Sequence, residues 1–430
     1  MGIDPGTSFG LQFVTFGRAT ILIASFMLLA GFSKAQEVKV ADLEAQSENG
    51  ILIFKSQDKD YKLWMDNRVY FDGAYYFENL NQLSNGLEIR RARFGLKSVL
   101  WGKWGAEIDI DFAGNEVDFN DAYVKYHFNK NTFIKTGNFK EPFSLETVTT
   151  SRNLTFMERS YVRTFAPKRN LGAAITHYND KWFGSLGFFG QEVADYDEND
   201  DEGYAITGRM AYFPIVDEQK LLHFAVYGTR RTPNADPDGL EQARFRHRPE
   251  TFISRKRFVT TGKFNNVSHF FSYGVEGAAN IGPFSIQSEM AWTDVKQNNT
   301  KDYINFSAGY VLVAWNITGE PRRYDKEEAE FRRILPENEK TGAFQVALRY
   351  STVNLNDFDA YILGGNSENV SLAINWYFNP NVKWMLNFVY VNNDRYADGN
   401  GSLDAGDYYA PAGESGDDFG FIQTRVEVDF

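Results

Sequence analysis

The sequence predicts an all-β fold, a transmembrane antiparallel β-barrel of about 16 strands, and three observations predict it. The chain ends on an alternating strand. From Ile422 to Phe430 every even position is apolar or a threonine methyl, every odd one is polar or charged, and the last residue is aromatic. A strand greasy on one side and charged on the other separates two different media. The second observation is compositional: 16 % of residues are aromatic, with 38 Phe and 23 Tyr, yet mean hydropathy is −0.43. That pairing suits a barrel whose lipid-facing and lumen-facing residues alternate and whose rings gather at the two interfaces. The third is period-2 alternation, which recurs from about Tyr61 to the end.

The alternation assigns faces. In Trp104–Phe112 the even positions Trp104, Ala106, Ile108, Ile110 and Phe112 face one way and Glu107, Asp109 and Asp111 the other. A water-filled lumen accepts three stacked carboxylates because each stays hydrated. Phe344, Val346, Leu348 and Tyr350 oppose Gln345 and Arg349. Leu372, Ile374, Trp376 and Phe378 oppose Ser371 and Asn375, and Phe284, Ile286, Met290 and Trp292 oppose Ser285, Gln287 and Glu289. Such segments run about 10 residues, the length of a tilted membrane strand. An even strand number keeps both termini periplasmic, so about 16 strands are expected, with the candidate near Phe258 assigned to a loop. Asn280–Pro283 and Asn379–Asn381 read as periplasmic turns, since Pro and Gly supply turn dihedrals. The longer connections are polar and are expected to face outward. Two of them are acidic: Glu192–Glu202 has seven acids and no base, and Asp394–Asp418 has seven acids against one arginine.

The N-terminus reads as a secretory signal over residues 1–35. Arg18 precedes an apolar run from Ala19 to Phe32, and Ser33, Lys34 and Ala35 form a small-residue cleavage site. The run is shorter than the roughly 20 residues of a spanning helix. Residues 36–60 are then a short periplasmic segment and residues 61–430 the barrel. Membrane insertion has to be through strands. A secreted β-solenoid would need a fixed repeat, and a plugged TonB-dependent receptor would need a longer N-terminal segment. The net charge of −12 argues against nucleic acid as a partner, and the absence of cysteine removes disulfides and thiolate metal sites.

Several stretches, in order and spacing, resemble the phosphate-selective porin O/P family in its Bacteroidota-type branch. They are Arg90–Gly95, Asp111–Gly114, Asp121–Tyr123, Gly137–Glu146, Thr150–Asn153, Phe156–Arg159, Arg244–Glu250, Gly319–Glu320 and Asn375–Pro380. The resemblance implies a trimeric barrel with an infolded third loop and arginines that guide anions to a basic constriction. Arg68 and Arg91 match its guiding positions. Arg90 matches as well, although strand phase turns it outward unless a bulge intervenes.

The residues carry part of this themselves. Asn138–Asn170 is long, does not alternate and lies between two strands, as an infolded constriction loop should. It holds Lys140, Arg152, Arg159, Arg163, Lys168 and Arg169 against Glu141, Glu146 and Glu158, a local +3. Arg230–Arg257, with Arg244, Arg246 and Arg248, carries eight bases and four acids. Two positive islands in an acidic chain focus a field on a passing anion, and planar guanidinium forks suit oxyanions. The strand walls themselves balance. Lys62, Arg68, Arg91, Arg93, Lys97, Lys125, Arg209, Arg349 and Arg425 face Asp66, Asp72, Glu107, Asp109, Asp111, Glu276, Glu289, Glu427 and Asp429. Selectivity is therefore expected from Arg68, Arg90, Arg91 and Arg93 together with Lys140, Arg152, Arg159, Arg244, Arg246 and Arg248. The infolded loop has only two lysines, and Glu141 adjoins Lys140, which weakens the case for phosphate in particular.

No enzyme is expected. The five histidines lack metal-ligand spacing, with His127 expected to line the pore, and nothing selects a serine for a triad. Asp398, Asn400, Ser402 and Asp404 loosely follow a calcium loop, but Tyr409 stands where its bidentate Glu belongs. The expected function is an outer-membrane porin exported through the Sec pathway, a passive channel for anions, phosphate or pyrophosphate among them, or small polar solutes. It needs no metal or cofactor. Its partners are outer-membrane lipid, lipopolysaccharide and its own copies in a homotrimer. The alternative is a structural barrel that scaffolds a lipoprotein or peptidase complex and conducts little.

Overall fold

Sixteen antiparallel strands close into one ring in the computed structural model, which describes residues 43–48, 50–77, 80–114, 117–191, 203–233, 241–397 and 416–430. The strands are β1 Arg68–Phe77, β2 Gly86–Leu100, β3 Trp104–Asp111, β4 Asp118–Asn129, β5 Thr132–Lys140, β6 Arg169–Tyr178, β7 Trp182–Phe189 and β8 Ala205–Val216. They continue as β9 Lys220–Arg231, β10 Val267–Ile281, β11 Phe284–Gln297, β12 Tyr303–Asn316, β13 Ala343–Asp357, β14 Ile362–Tyr377, β15 Val382–Asn393 and β16 Phe419–Asp429. The ring closes where β16 pairs with β1 in a register from Gly420↔Phe77 to Asp429↔Arg68. Asn67 and Phe430 exchange both backbone hydrogen bonds and extend that seam by one step. Closure leaves the ring itself without an edge strand. The signal segment, the Glu192–Glu202 acids, most of Asp394–Asp418 and the calcium-like run lie outside the described residues.

The expected faces are the observed ones. Trp104, Ile108 and Phe112 are 44 %, 49 % and 52 % exposed on the outer wall, while Glu107, Asp109 and Asp111 are 7 %, 1 % and 8 % exposed inside. Lys62–Met65 pairs with the lower end of β2 and lies outside the ring, which opens at Arg68. Arg90 faces inward. The β1–β2 register jumps from Tyr70↔Arg91 to Phe71↔Ile89, so Arg90 is the extra residue of a bulge and Arg90 and Arg91 both reach the lumen.

The short connections share one end with the start of β1 and the end of β16, the periplasmic end of an outer-membrane barrel. Residues 141–168, the third outer loop, fold into the lumen as expected, with one α-helical turn, α1 at Leu145–Val148, and 3-10 turns at Ser151–Asn153 and Tyr161–Thr164. Two further segments correct the expectation that long connections face outward. The described part of the fifth outer loop, residues 241–266, and the sixth periplasmic turn, residues 317–342, also enter the lumen. An apolar core holds them. Phe156, Tyr161, Val162 and Phe165 of the third loop pack with Phe245, Phe258 and Val259 of the fifth against inward side chains such as Val295, Phe306, Leu355 and Phe421. Burying each such side chain contributes about 1.5–3 kcal/mol, enough to keep loops inside a lumen that alternation alone makes polar.

Candidate functional site

The third loop is fixed by charges on both of its sides. The first N–H groups of a helical turn have no partner within it, and here wall carboxylates supply them: Leu145 N donates to Glu276 at 2.7 Å and Glu146 N to Glu289 at 2.8 Å. At the other end Lys140 Nζ donates to the carbonyls of Thr147 and Val148 at 2.9 and 3.0 Å. Arg159 donates to the carbonyls of Glu146 and Thr149 at 2.8 and 2.6 Å. Glu158 is gripped by Arg90 at 2.9 and 3.2 Å and by Arg425 at 3.0 Å. Burial would push the Glu158 carboxyl up, but Arg90 and Arg425 outweigh it and hold it well below the usual carboxylate range. Arg425 also forks onto Asp72 with two bonds of 2.7 Å.

Of the wall arginines expected to guide anions, Arg68, Arg90 and Arg93 are paired in place. Arg68 meets Asp66 at 3.0 Å, Arg93 meets Asp111 at 2.8 Å and Arg152 of the third loop also meets Asp66. Arg91 stands 5.8 Å from the Tyr70 ring centre. The cations of the third loop are thus staples of its own fold: Lys140 and Arg159 bind carbonyls and Arg152 a carboxylate. Glu107, Asp109 and Asp121 bring carboxylate oxygens within 4.8 Å of one another. Lys97 lies 3.1 Å from Glu107, Arg169 2.8 Å from Asp121, and Arg68 3.7 Å from Asp109, so this cluster is an ion-pair lattice already compensated by cations.

The fifth loop differs. Among the described residues, none of Arg244, Arg246, Arg248 and Arg257 has a carboxylate within salt-bridge reach. One aromatic ring organises the guanidinium groups beside them. Phe252 is faced by Arg90 at 3.6 Å, Arg255 at 4.0 Å and Arg248 at 4.6 Å, a packing that cation–π attraction favours over mutual repulsion. Burial, then Arg257 and Arg244, draws Arg246 down to about 10. Burial, then Arg257 and Arg255, does the same for Arg248. Both remain charged at neutral pH, with their donors unclaimed by acids. An oxyanion arriving here meets several planar forks.

The same loop carries a pH-sensitive group. His247 Nδ1 donates to the Arg248 carbonyl at 2.6 Å. Burial foremost, with Arg163 and Arg248 adding to it, lowers His247 to about 4 despite that bond. An undocked loop takes up a proton near pH 6.5, its unperturbed value. Protons therefore favour the undocked loop, and docking weakens as pH falls from about 6.5 to about 4. We expect amide exchange across Arg246–Val259 to be faster, after correction for intrinsic rates, at pH 5 than at pH 7.5. His247→Phe removes that difference.

Residues 65–410 match the family described as phosphate-selective porin O and P. The chain belongs to that family. Porin O of Pseudomonas aeruginosa is 25 % identical over 432 residues, covering 89 % of this chain and 95 % of that protein. An uncharacterized protein of Caulobacter vibrioides is 27 % identical over 319 residues, 71 % of this chain and 63 % of its own. Among solved structures, an anion-selective porin from Comamonas acidovorans superposes with a TM-score of 0.55 at 13 % identity, covering 86 % of this chain and 100 % of that one. OmpT of Vibrio cholerae superposes with a TM-score of 0.52 at 11 % identity, covering 88 % and 100 %. At these identities the structures attest the fold. The chain is an outer-membrane porin.

Below the third loop this porin has a cavity of about 860 Å³, lined in part by Lys97, Lys125, His127, Lys135 and the periplasmic turn 317–342. His127 lines it as expected. The turn was not foreseen as part of the lumen. It forms a hairpin in which Tyr324–Asp325 pairs with Glu330–Phe331. Thr150 N of the third loop donates to Glu330 at 3.0 Å, and Asn153 to the Phe331 carbonyl at 2.9 Å. The sequence held one signal of it: a long, charged, non-alternating connection at an even-numbered position, where a short turn belongs.

Proposed function

We propose that this porin is a passive channel selective for small anions, with phosphate and other oxyanions as its substrate class. The observation that carries the reading is the set of arginines Arg244, Arg246, Arg248 and Arg257, free of ion-pairing acids among the described residues, beside Arg90 within the barrel. The wall charges pair off locally and contribute little net field, so uncompensated guanidinium groups set the sign of the potential a solute meets. Family membership supports the same direction. The acids and bases of the lumen serve as structural partners to one another, which fits a channel rather than an enzyme. We further propose cleavage of residues 1–35 on export, with residues 36–60 left as a periplasmic segment. We also propose assembly as a homotrimer, the form in which OmpT of Vibrio cholerae was solved at a TM-score of 0.51. Reversal potential across a KCl gradient in a planar bilayer tests selectivity. A potential of the sign set by chloride is expected; a cation-selective or closed barrel overturns the reading.

A further inference from the structure

Lys125 on β4 and Lys135 on β5 are direct cross-strand partners on the lumen face. Like charges placed opposite each other on a sheet repel, and this pair sits in the wall of the lower cavity. The ammonium groups are held over rings, Lys125 3.7 Å from the Phe133 centre and Lys135 4.7 Å from that of Tyr123. What relieves the repulsion comes from far away in the chain. The tip of the periplasmic hairpin brings Glu327 onto Lys125, and Glu328 bridges the two lysines at 3.5 and 3.6 Å. The lysine side chains are 11 % and 14 % exposed, whereas those of Glu327 and Glu328 are 33 % and 40 % exposed. The cations are built into the wall, and the anions are the accessible half of the site.

The hairpin does not need these carboxylates to stay seated. Tyr324 shares a 2.8 Å hydrogen bond with His223, Arg209 donates to the Ala329 carbonyl at 2.9 Å, and Arg322 lies 3.6 Å from the centre of the buried Phe331 ring. Glu327 and Glu328 thus add charge complementarity to a hairpin anchored by other means.

We infer that Lys125 and Lys135 form a second anion-binding site on the periplasmic side of the constriction, and that Glu327 and Glu328 are its resident anions, which a permeating oxyanion must displace. This rests on the reading of the pore as anion-selective. A tetrahedral oxyanion can bridge two ammonium groups as Glu328 does, with each nitrogen donating to a separate oxygen. The hairpin then sets how strongly a solute is held on its way out. With the glutamates in place anions are held weakly, and exit is fast.

The test is block of single-channel chloride current by inorganic phosphate in the intact porin. Glu327→Gln with Glu328→Gln leaves the shape of the hairpin and removes two charges. Half-block is expected at a phosphate concentration about five- to tenfold lower than for the unaltered protein, the size of effect that removing a competing charge at such distances produces. Glu328→Gln alone should shift it in the same direction by less. Adding Lys125→Gln and Lys135→Gln to the double variant should abolish the gain. Heat-modifiable migration in detergent gels checks that each variant is a folded barrel. Coincident block curves for the unaltered protein and both glutamate variants overturn the inference while leaving an anion-selective pore. A pore that is not anion-selective before any substitution overturns the underlying reading instead.

Discussion

Replacing Arg244, Arg246, Arg248 and Arg257 together with glutamine is expected to lower the anion-to-cation permeability ratio by on the order of tenfold, the scale on which lumen charge focuses counter-ions. The expectation follows from where charge is spent elsewhere in the lumen. Arg425 is forked onto Asp72, Arg209 contacts Glu276 at 2.6 Å, and Arg349 reaches Glu250 at 2.5 Å. These pairs look neutral to a passing ion. Once the four arginines are gone, what remains beside them is paired, Glu88 with Arg255 and Glu158 with Arg90 and Arg425, and offers an approaching anion little net charge. Reversal potential at several salt concentrations is the measurement, and the difference from the unaltered protein should shrink as salt screens the loop charges. Arg152→Gln provides the contrast. It removes the third-loop cation that pairs with Asp66, which keeps Arg68 and Lys97, so it should loosen the seat of the loop more than it changes selectivity. If the quadruple variant kept its anion preference, the filter would have to be sought at Arg91 and the lower lysines.

The faces of the strands were legible because each barrel strand separates lipid from water, and that contrast imposes strict period 2 on residues such as Ile422, Thr424 and Val426. The tally of nine lumen bases against nine acids moves the expected selectivity off the wall. The structure adds that most of those charges are paired locally rather than arranged across the pore. Arg90 was half-legible: its phase was wrong for the lumen, and the bulge that corrects it is marked only by a change of phase, the outward residues passing from Leu87 and Ile89 to Phe94 and Leu96. The inner apolar core was hidden for a related reason. At Phe419 and Phe421 both faces of β16 are apolar, which a reading tuned to polar lumens passes over. The periplasmic hairpin was missed because its placement depends on long-range contacts, Tyr324 to His223 and Glu330 to Thr150, that no local pattern encodes. The third loop was placed correctly as an infolded segment, but its Lys140 and Arg159 were expected to attract solutes. A cation count cannot tell whether a side chain will be consumed by backbone carbonyls of its own loop.

Glu276→Ala should be the most disruptive single change in the lumen, because one carboxylate there serves three elements. It accepts from Arg209 at 2.9 and 2.6 Å, meets His223 at 2.9 Å and accepts from Leu145 N of the third loop at 2.7 Å. His223 in turn is bonded to Tyr324 of the periplasmic hairpin, so the third loop and the hairpin are tied to the same residue from opposite ends of the barrel. Removing the carboxylate leaves Arg209 buried with a single carbonyl partner, a loss of about 3–5 kcal/mol for a broken buried pair. The freed Leu145 N–H adds about 1–3 kcal/mol if nothing replaces its acceptor. The strand ladder does not depend on these bonds, so the barrel should still close and insert while its two inner segments loosen together. Hydrogen exchange should report faster opening at both Leu145–Val148 and Tyr324–Phe331, and bilayer recordings should show noisier open-channel current. Glu276→Gln keeps an acceptor for Leu145 N and should spare the third loop more than the hairpin, since its amide no longer carries the charge that orients Arg209 and His223. Equal loosening of both segments in the glutamine variant would mean that they are coupled directly, through Thr150 and Glu330, rather than through the wall.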